Sequence, residues 1–456
     1  MRVSLFMFCI TITIILSFLL PGIMQQRLEG GCDARRGLWC AESGFAMCWG
    51  ANSYESLVVA WYNSRVRKHK SDKIIAVLVM LLMAIGLIVI YAIGSMRANF
   101  INSAYGANYD ENYFFIHQVI SVVLSMIVLI VMYKVPYQIT RKLAKWILLA
   151  GLVACAVLAV LSVVHSSLAL CQLGGCRWYN LGGLGSFQPA ELVKLGLVLY
   201  LAQLMAERKK EGKLGRGKEF WVPFMLACGL SLFFVVILQK DMGTGVVMIS
   251  IILAMLWMSG IAFSKFMLVL AAIAAVGVLA VVSSPHRMER LMTFGGDESA
   301  DTYHIDNAML AIGTGGLAGV GIGNSVQATG YLPESINDSV FAVMGETFGF
   351  LGLMLVVGSF LIVMLRMLHV GVRLMDMEQS LVVVGVFAWV AAHVVVNVAA
   401  MTGLIPLTGI TLPFLSYGGT SMMFIAGGVG IVLQLSCYTG REVMEYKTVV
   451  SGRGVR

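Results

Sequence analysis

The chain has 456 residues, 59% of them hydrophobic and 12% charged, with a formal net charge of +8 and a mean hydropathy of +0.86. A soluble domain carries roughly 25% charged residues. This composition therefore excludes that class and requires an all-α polytopic membrane protein, because backbone groups must pair internally in lipid. The positive charges sit in short loops, which argues against nucleic acid and for ordinary membrane topology.

The chain opens with an apolar run from Val3 to Leu20 that ends at Pro21-Gly22, long enough for a signal-peptide core or a short span. Export of the segment after Gly22 conflicts with Arg27, Arg35, Arg36, Arg65, Arg67, Lys68 and Lys70. Residues 1–73 read as an N-terminal extension and cytoplasmic segment, with either an extra span or a start further along, at Met24, Met47 or later. The nine cysteines show no metal-ligand spacing. Cys171 and Cys176 can pair if their loop faces outward.

From Ile74 the pattern is regular. Candidate spans are 74–96, 114–133, 146–166, 189–206, 220–238, 243–260, 266–283, 339–365, 380–402 and 418–437, each about the length that crosses a hydrocarbon core. With Lys73 inside, the inner loops hold 22 Lys and Arg and the outer loops 5, which orients the chain. Residues 74–437 thus form a ten-span membrane domain, 438–456 a cytoplasmic tail and 284–338 a large outer loop between spans 7 and 8.

Ionisable groups within or beside spans are costly and mark candidate sites. Glu191 and Lys194 share a helix face at i, i+3 and form either a structural pair or the lining of a polar cavity. Lys240-Asp241 poses the same choice, and Gly243 beside it favours a compact structural turn. Asp338, Ala342, Gly345, Glu346 and Gly349 fall on one small, acidic helical face, suited to border a groove. Asp338 is either a helix N-cap or the centre of that site. Arg287 and Arg290 suit a phosphate or carboxylate, and equally lipid headgroups or the carboxylates Glu289 and Asp297. The glycine-rich run Gly313 to Gly323 follows no strand, so close-packed turns or a re-entrant element fit better than a phosphate loop, with exposed backbone amides that help hold a diphosphate as the alternative.

Several segments in chain order resemble the SEDS family (shape, elongation, division and sporulation). They are Arg177-Trp178 with Ser186-Phe-Gln188-Pro-Ala-Glu191-Leu-Val-Lys194, the Asp241-Met-Gly-Thr244 turn, and the glycine run from Ala311 to Gly323. Next come Tyr331-Leu-Pro-Glu334 up to Asp338, Phe341-Ala-Val and Glu346, then Gly403 to Gly419 with Ser416-Tyr417. Arg287-Met-Glu-Arg290 up to Phe294 is also similar. Where the family usually reads Thr-Asp-Phe, this chain has Asn337-Asp338-Ser339. Residues 1–62 have no counterpart.

The resemblance implies a peptidoglycan glycosyltransferase, closer to the division branch (FtsW) than the elongation branch (RodA), polymerising lipid II at the outer face of the cytoplasmic membrane. It implies Asp338 as the catalytic carboxylate and a class B penicillin-binding protein as partner, with other divisome or elongasome proteins. Candidate substrate-binding residues are Arg287, Arg290, Glu191, Lys194, Gln188, Lys240, Asp241, Glu334, Glu346, Ser416 and Tyr417. A divalent cation (Mg or Mn) or the arginines and Lys194 would neutralise the diphosphate. A lipid II flippase and a non-catalytic scaffold are the rival readings. Against the flippase, the polar content lies outside rather than at the midplane.

Overall fold

The computed structural model describes residues 71–106, 108–172, 175–182, 185–282 and 300–439. Residues 1–70 of the N-terminal extension, Arg287, Arg290 and most of the C-terminal tail lie outside them. The described chain forms α1 (Lys73–Tyr105), α2 (Tyr113–Lys134), α3 (Tyr137–Val163), strands β1 (Ala169–Gln172), β2 (Gly175–Asn180) and β3 (Ser186–Phe187), α4 (Pro189–Lys210) and α5 (Gly217–Leu232). Then come α6 (Met242–Met258), α7 (Phe263–Val282), α8 (Ala300–Thr314), α9 (Val340–Arg373), α10 (Met377–Met401) and α11 (Gly419–Ser436).

Eight of these helices, α5 taken with the π-helical turns that continue it to Leu238, are long and apolar enough to cross a membrane, and α6 and α7 are further apolar helices, in the order the hydropathy predicts. The helices outrun the apolar windows. α1 continues past residue 96 to a left-handed cap at Gly106, and α3 begins at Tyr137 rather than 146. Helical backbone bonding does not stop where the hydrocarbon does. α8 was not expected, and it lies inside the stretch read as an outer loop.

The interior is built on α10, which is buried along nearly its whole length, with α4 and α11 beside it. Small residues let the backbones close up. A side chain at Gly196 of α4 would strike the Leu148 backbone of α3, and one at Gly430 of α11 would strike the Leu129 carbonyl of α2, the close approach that favours helix pairing in lipid. By contrast, Ile116, Ile120, Val123, Leu124, Ile127 and Val131 leave one flank of α2 exposed, as a lipid-facing surface requires.

The charges sort by end. Asp72 caps α1 and meets Arg366 at 2.6 Å, while Arg141 meets Glu378 at 3.0 Å and Glu207 at 3.7 Å. This end gathers the loops rich in Lys and Arg. At the other end lie the three-stranded antiparallel sheet, α8 and the segment 315–339. Cys171 and Cys176 face each other across β1 and β2 and form a disulfide.

Candidate active site

Asp338 closes a run of turns that begins at Tyr331. Leu332 and Ile336 are buried and pin the run to the core, while Glu334 takes a left-handed φ of 47° and its carbonyl accepts from the Asn337 and Ser339 amides. Arg97 on α1 approaches the Glu334 carboxylate at 3.9 Å, and the Tyr417 amide donates to the Ile336 carbonyl at 2.8 Å. On the far side, Asn397 of α10 donates to the Asp338 carbonyl at 2.7 Å and to the Ile410 carbonyl at 2.7 Å. The Asp338 position is thus fixed from α1, α10 and the loop before α11.

The N-cap alternative for Asp338 does not hold. The cap position of α9 is Ser339, and no side chain caps the helix. The Asp338 carboxyl is instead a buried group, 8% exposed, pushed up to about 7 by burial first and the nearby Glu334 charge second. The neighbouring backbone amides and the Ser339 hydroxyl pull the other way, and burial wins. A carboxyl raised into that range is a better proton acceptor than an exposed aspartate.

Glu346 is placed elsewhere. Its carboxylate accepts from the Val326 amide at 2.9 Å, from the Gln327 amide at 3.3 Å and from the Ser325 hydroxyl. The helical face carrying it does not border an open groove, because the glycine-rich run covers it. α9 is broken at Gly349, with φ 67° and ψ −166°, and the freed groups are exchanged with that run. The Phe350 and Leu351 amides donate to the Gly316 and Leu317 carbonyls, while the Val320 and Gly321 amides donate to the Glu346 and Thr347 carbonyls. A side chain at Gly319 would collide with the Thr347 carbonyl. The run is therefore close-packed structure, and these amides serve α9 rather than a diphosphate.

A second polar centre lies one turn along α10. Lys194 is fully buried, 2.7 Å from Glu191 Oε1 and 3.1 Å from His393 Nε2, with its ammonium 5.1 Å from the Trp389 ring centroid. His393 Nδ1 lies 3.1 Å from the Thr411 carbonyl. That acceptor places the imidazole hydrogen on Nδ1 and leaves Nε2 to receive a lysine hydrogen. His393 and Asn397 are four residues apart on α10 and so share a face, one serving Lys194 and the other Asp338. Sequence reasoning passed over both, although polar side chains inside an apolar span were the signal that singled out Glu191.

The remaining candidates hold the scaffold. Asp241 caps α6 by accepting from the Thr244 amide at 3.0 Å and hydroxyl at 2.9 Å, and Gln188 donates to it at 3.3 Å. Lys240 is exposed, and its carbonyl accepts from Arg177 at 3.0 Å. Ser416 Oγ accepts from the Leu412 amide at 2.8 Å, its carbonyl receives Gln118 at 3.3 Å, and the Tyr417 ring packs edge-on to Phe114 at 5.5 Å. Among the described residues no three His, Cys, Asp or Glu side chains come together so as to hold a metal ion.

Fold and site together define a multi-pass membrane protein in which the end away from the Lys- and Arg-rich loops presents, among the described residues, a buried carboxyl group near neutrality. The sequence profile of the FtsW/RodA/SpoVE family of cell cycle proteins matches residues 72–441, and the chain belongs to that family. It is similar to stage V sporulation protein E of Bacillus subtilis, with 31% identity over 82% of this chain and 99% of that protein. It is also similar to the probable peptidoglycan glycosyltransferase FtsW of Coxiella burnetii, with 34% identity over 58% of this chain and 72% of that protein. Among solved structures, a chain of a peptidoglycan synthase complex that coordinates polymerization and crosslinking superposes with a TM-score of 0.62 at 22% identity, covering 82% of this chain and 99% of that one. The rod shape determining protein RodA of Thermus thermophilus gives a TM-score of 0.58 at 22% identity, over 82% and 98%. At that identity the two structures support the fold.

Proposed function

We propose that this protein is a peptidoglycan glycosyltransferase that polymerises lipid II at the outer face of the cytoplasmic membrane, with Asp338 as its general base. A sugar hydroxyl of the acceptor attacks the anomeric carbon of the donor and passes its proton to the Asp338 carboxylate. The bond from that carbon to the diphosphate breaks, and undecaprenyl diphosphate leaves with the electron pair. Attack opposite an α-linked diphosphate gives a β-linked glycan in one displacement, with no covalent sugar intermediate. Base assistance of this kind contributes roughly 10²–10⁴-fold.

The observation that carries this reading is the Asp338 carboxyl, buried yet poised near neutrality at the end of the chain away from the Lys- and Arg-rich loops. The relatives named as peptidoglycan glycosyltransferases support the same chemistry. Diphosphate neutralisation falls to Arg287 and Arg290 of the outer segment, because Lys194 is buried and engaged with Glu191 and His393. Glu334 stands beside the base, while Glu346, Gln188 and Asp241 act on substrate only through the backbone they hold. The partner is a crosslinking transpeptidase of the class B penicillin-binding type within the division machinery, and the septum is the place of work.

The test is incubation of the purified protein and its transpeptidase with lipid II, and then separation of the glycan products. Glycan chains are expected. Movement of lipid II across a vesicle bilayer without polymer would overturn the proposal in favour of a flippase.

A further inference from the structure

The hydroxyl of Ser339 stands among three polar groups. His304 Nε2, from α8, is 2.6 Å away, the Pro333 carbonyl 3.0 Å and Asp338 Oδ1 3.4 Å. His304 and Asp338 are each 8% exposed and Ser339 is fully buried, so water does not readily substitute for any of these contacts. A hydroxyl has one hydrogen and two lone pairs, and a carbonyl only accepts. If Nε2 carries the imidazole hydrogen, His304 donates to Ser339, and the serine hydrogen is left for the Pro333 and Asp338 oxygens. If Nδ1 carries it, Nε2 captures the serine hydrogen and the carboxylate loses its hydroxyl donor. The state of His304 therefore sets whether that hydrogen is available to the Pro333 and Asp338 oxygens or is taken by the imidazole.

We propose that His304 is a positioning residue for Asp338, acting through the Ser339 hydroxyl. This rests on the reading of Asp338 as the base. Among the described residues, the other charged and titratable groups around Asp338 are Glu334 in its own run of turns, Arg97 of α1 behind Glu334, and Tyr417 before α11. From α10 the facing residue is the uncharged Asn397, and on α8 Asp306 is exposed two residues beyond His304. His304 is the titratable group that reaches Asp338 through a single hydroxyl.

The experiment is the pH dependence of kcat/KM for lipid II polymerisation, with a thermal melt of every variant. Ser339→Ala removes a donor to the carboxylate, so the midpoint of the acidic limb moves up by roughly one pH unit, a tenfold loss of rate on that limb. His304→Ala and His304→Asn, which does not reach the Nε2 position, leave the serine its hydrogen but remove the donor that orients it, so they move the midpoint the same way and by less than Ser339→Ala. His304→Gln, whose amide nitrogen reaches that position, restores the wild-type midpoint. The double variant S339A/H304A moves it no further than S339A alone. Equal midpoints for H304N and H304Q, or an H304A shift that persists undiminished in the S339A background, would overturn the proposal. Asp338→Asn in the same assay separates the two layers. If that variant polymerises, the base reading itself fails whatever His304 does.

Discussion

Asn397 donates both of its side-chain hydrogens to carbonyl oxygens, one to Asp338 at 2.7 Å and one to Ile410 at 2.7 Å. α10 thereby locks the backbone of the candidate base to the loop that precedes α11, inside a core where neither carbonyl has ready access to water. Asn397→Ala releases both. The expected result is a fall in kcat of about 10²-fold with little change in KM, since a displacement of about 1 Å at the reacting group has that effect. Steady-state lipid II polymerisation checks it, and an unchanged kcat contradicts it.

The pH profile depends on the direction of the Asp338 shift. Burial and the Glu334 charge raise the carboxyl from 3.8 to about 7, and a general base works only when ionised. The rate therefore rises with pH along a limb centred near 7. Glu334→Gln removes the like charge, so the limb moves to lower pH. A limb unmoved in that variant would assign the shift to burial alone.

The same shift has a stability consequence. A carboxyl raised in the fold contributes stability that is fully present below its unfolded value, near 4, and lost as pH rises through about 7. Asp338→Asn does not ionise and keeps that contribution at every pH. Its melting temperature relative to wild type is expected to climb between pH 4 and pH 8. Parallel melting curves across that range would contradict the buried placement.

Glu346 holds the 325–327 turn through two backbone amides and a serine hydroxyl. Glu346→Gln swaps one acceptor oxygen for a donor and faces it toward other donors. The loss is expected at about 2–3 kcal/mol, the scale of a charge-assisted bond removed from a buried site. Thermal melting in detergent checks it, and the effect should appear in stability before it appears in kcat. A kcat defect at unchanged stability would return Glu346 to the site.

The spans were legible because hydropathy reports the bilayer directly. Asp241 was legible too, since Gly243 beside it marks a tight turn and the side chain does cap α6. α8 escaped because it crosses no bilayer, yet His304, Ile305, Ala308 and Ala311 bury one face of it at helical spacing. Glu346 was misread because a face argument assumes an unbroken, uncovered helix. The break at Gly349 and the glycine-rich run laid across it depend on tertiary contacts that no local window contains. His393 and Asn397 show the opposite fault, since the signal was present and only the charged residues were pursued.

The most direct test of the central claim is the amount of glycan polymerised from lipid II by wild type and by Asp338→Asn, each purified with the transpeptidase partner and matched by melting temperature. Asparagine preserves the shape and the backbone bonds of Asp338 and removes the proton acceptor. With Asp338 as the base, glycan chains are expected from wild type and none from the variant. Chains from both would contradict that role and take Asp338 out of the chemistry.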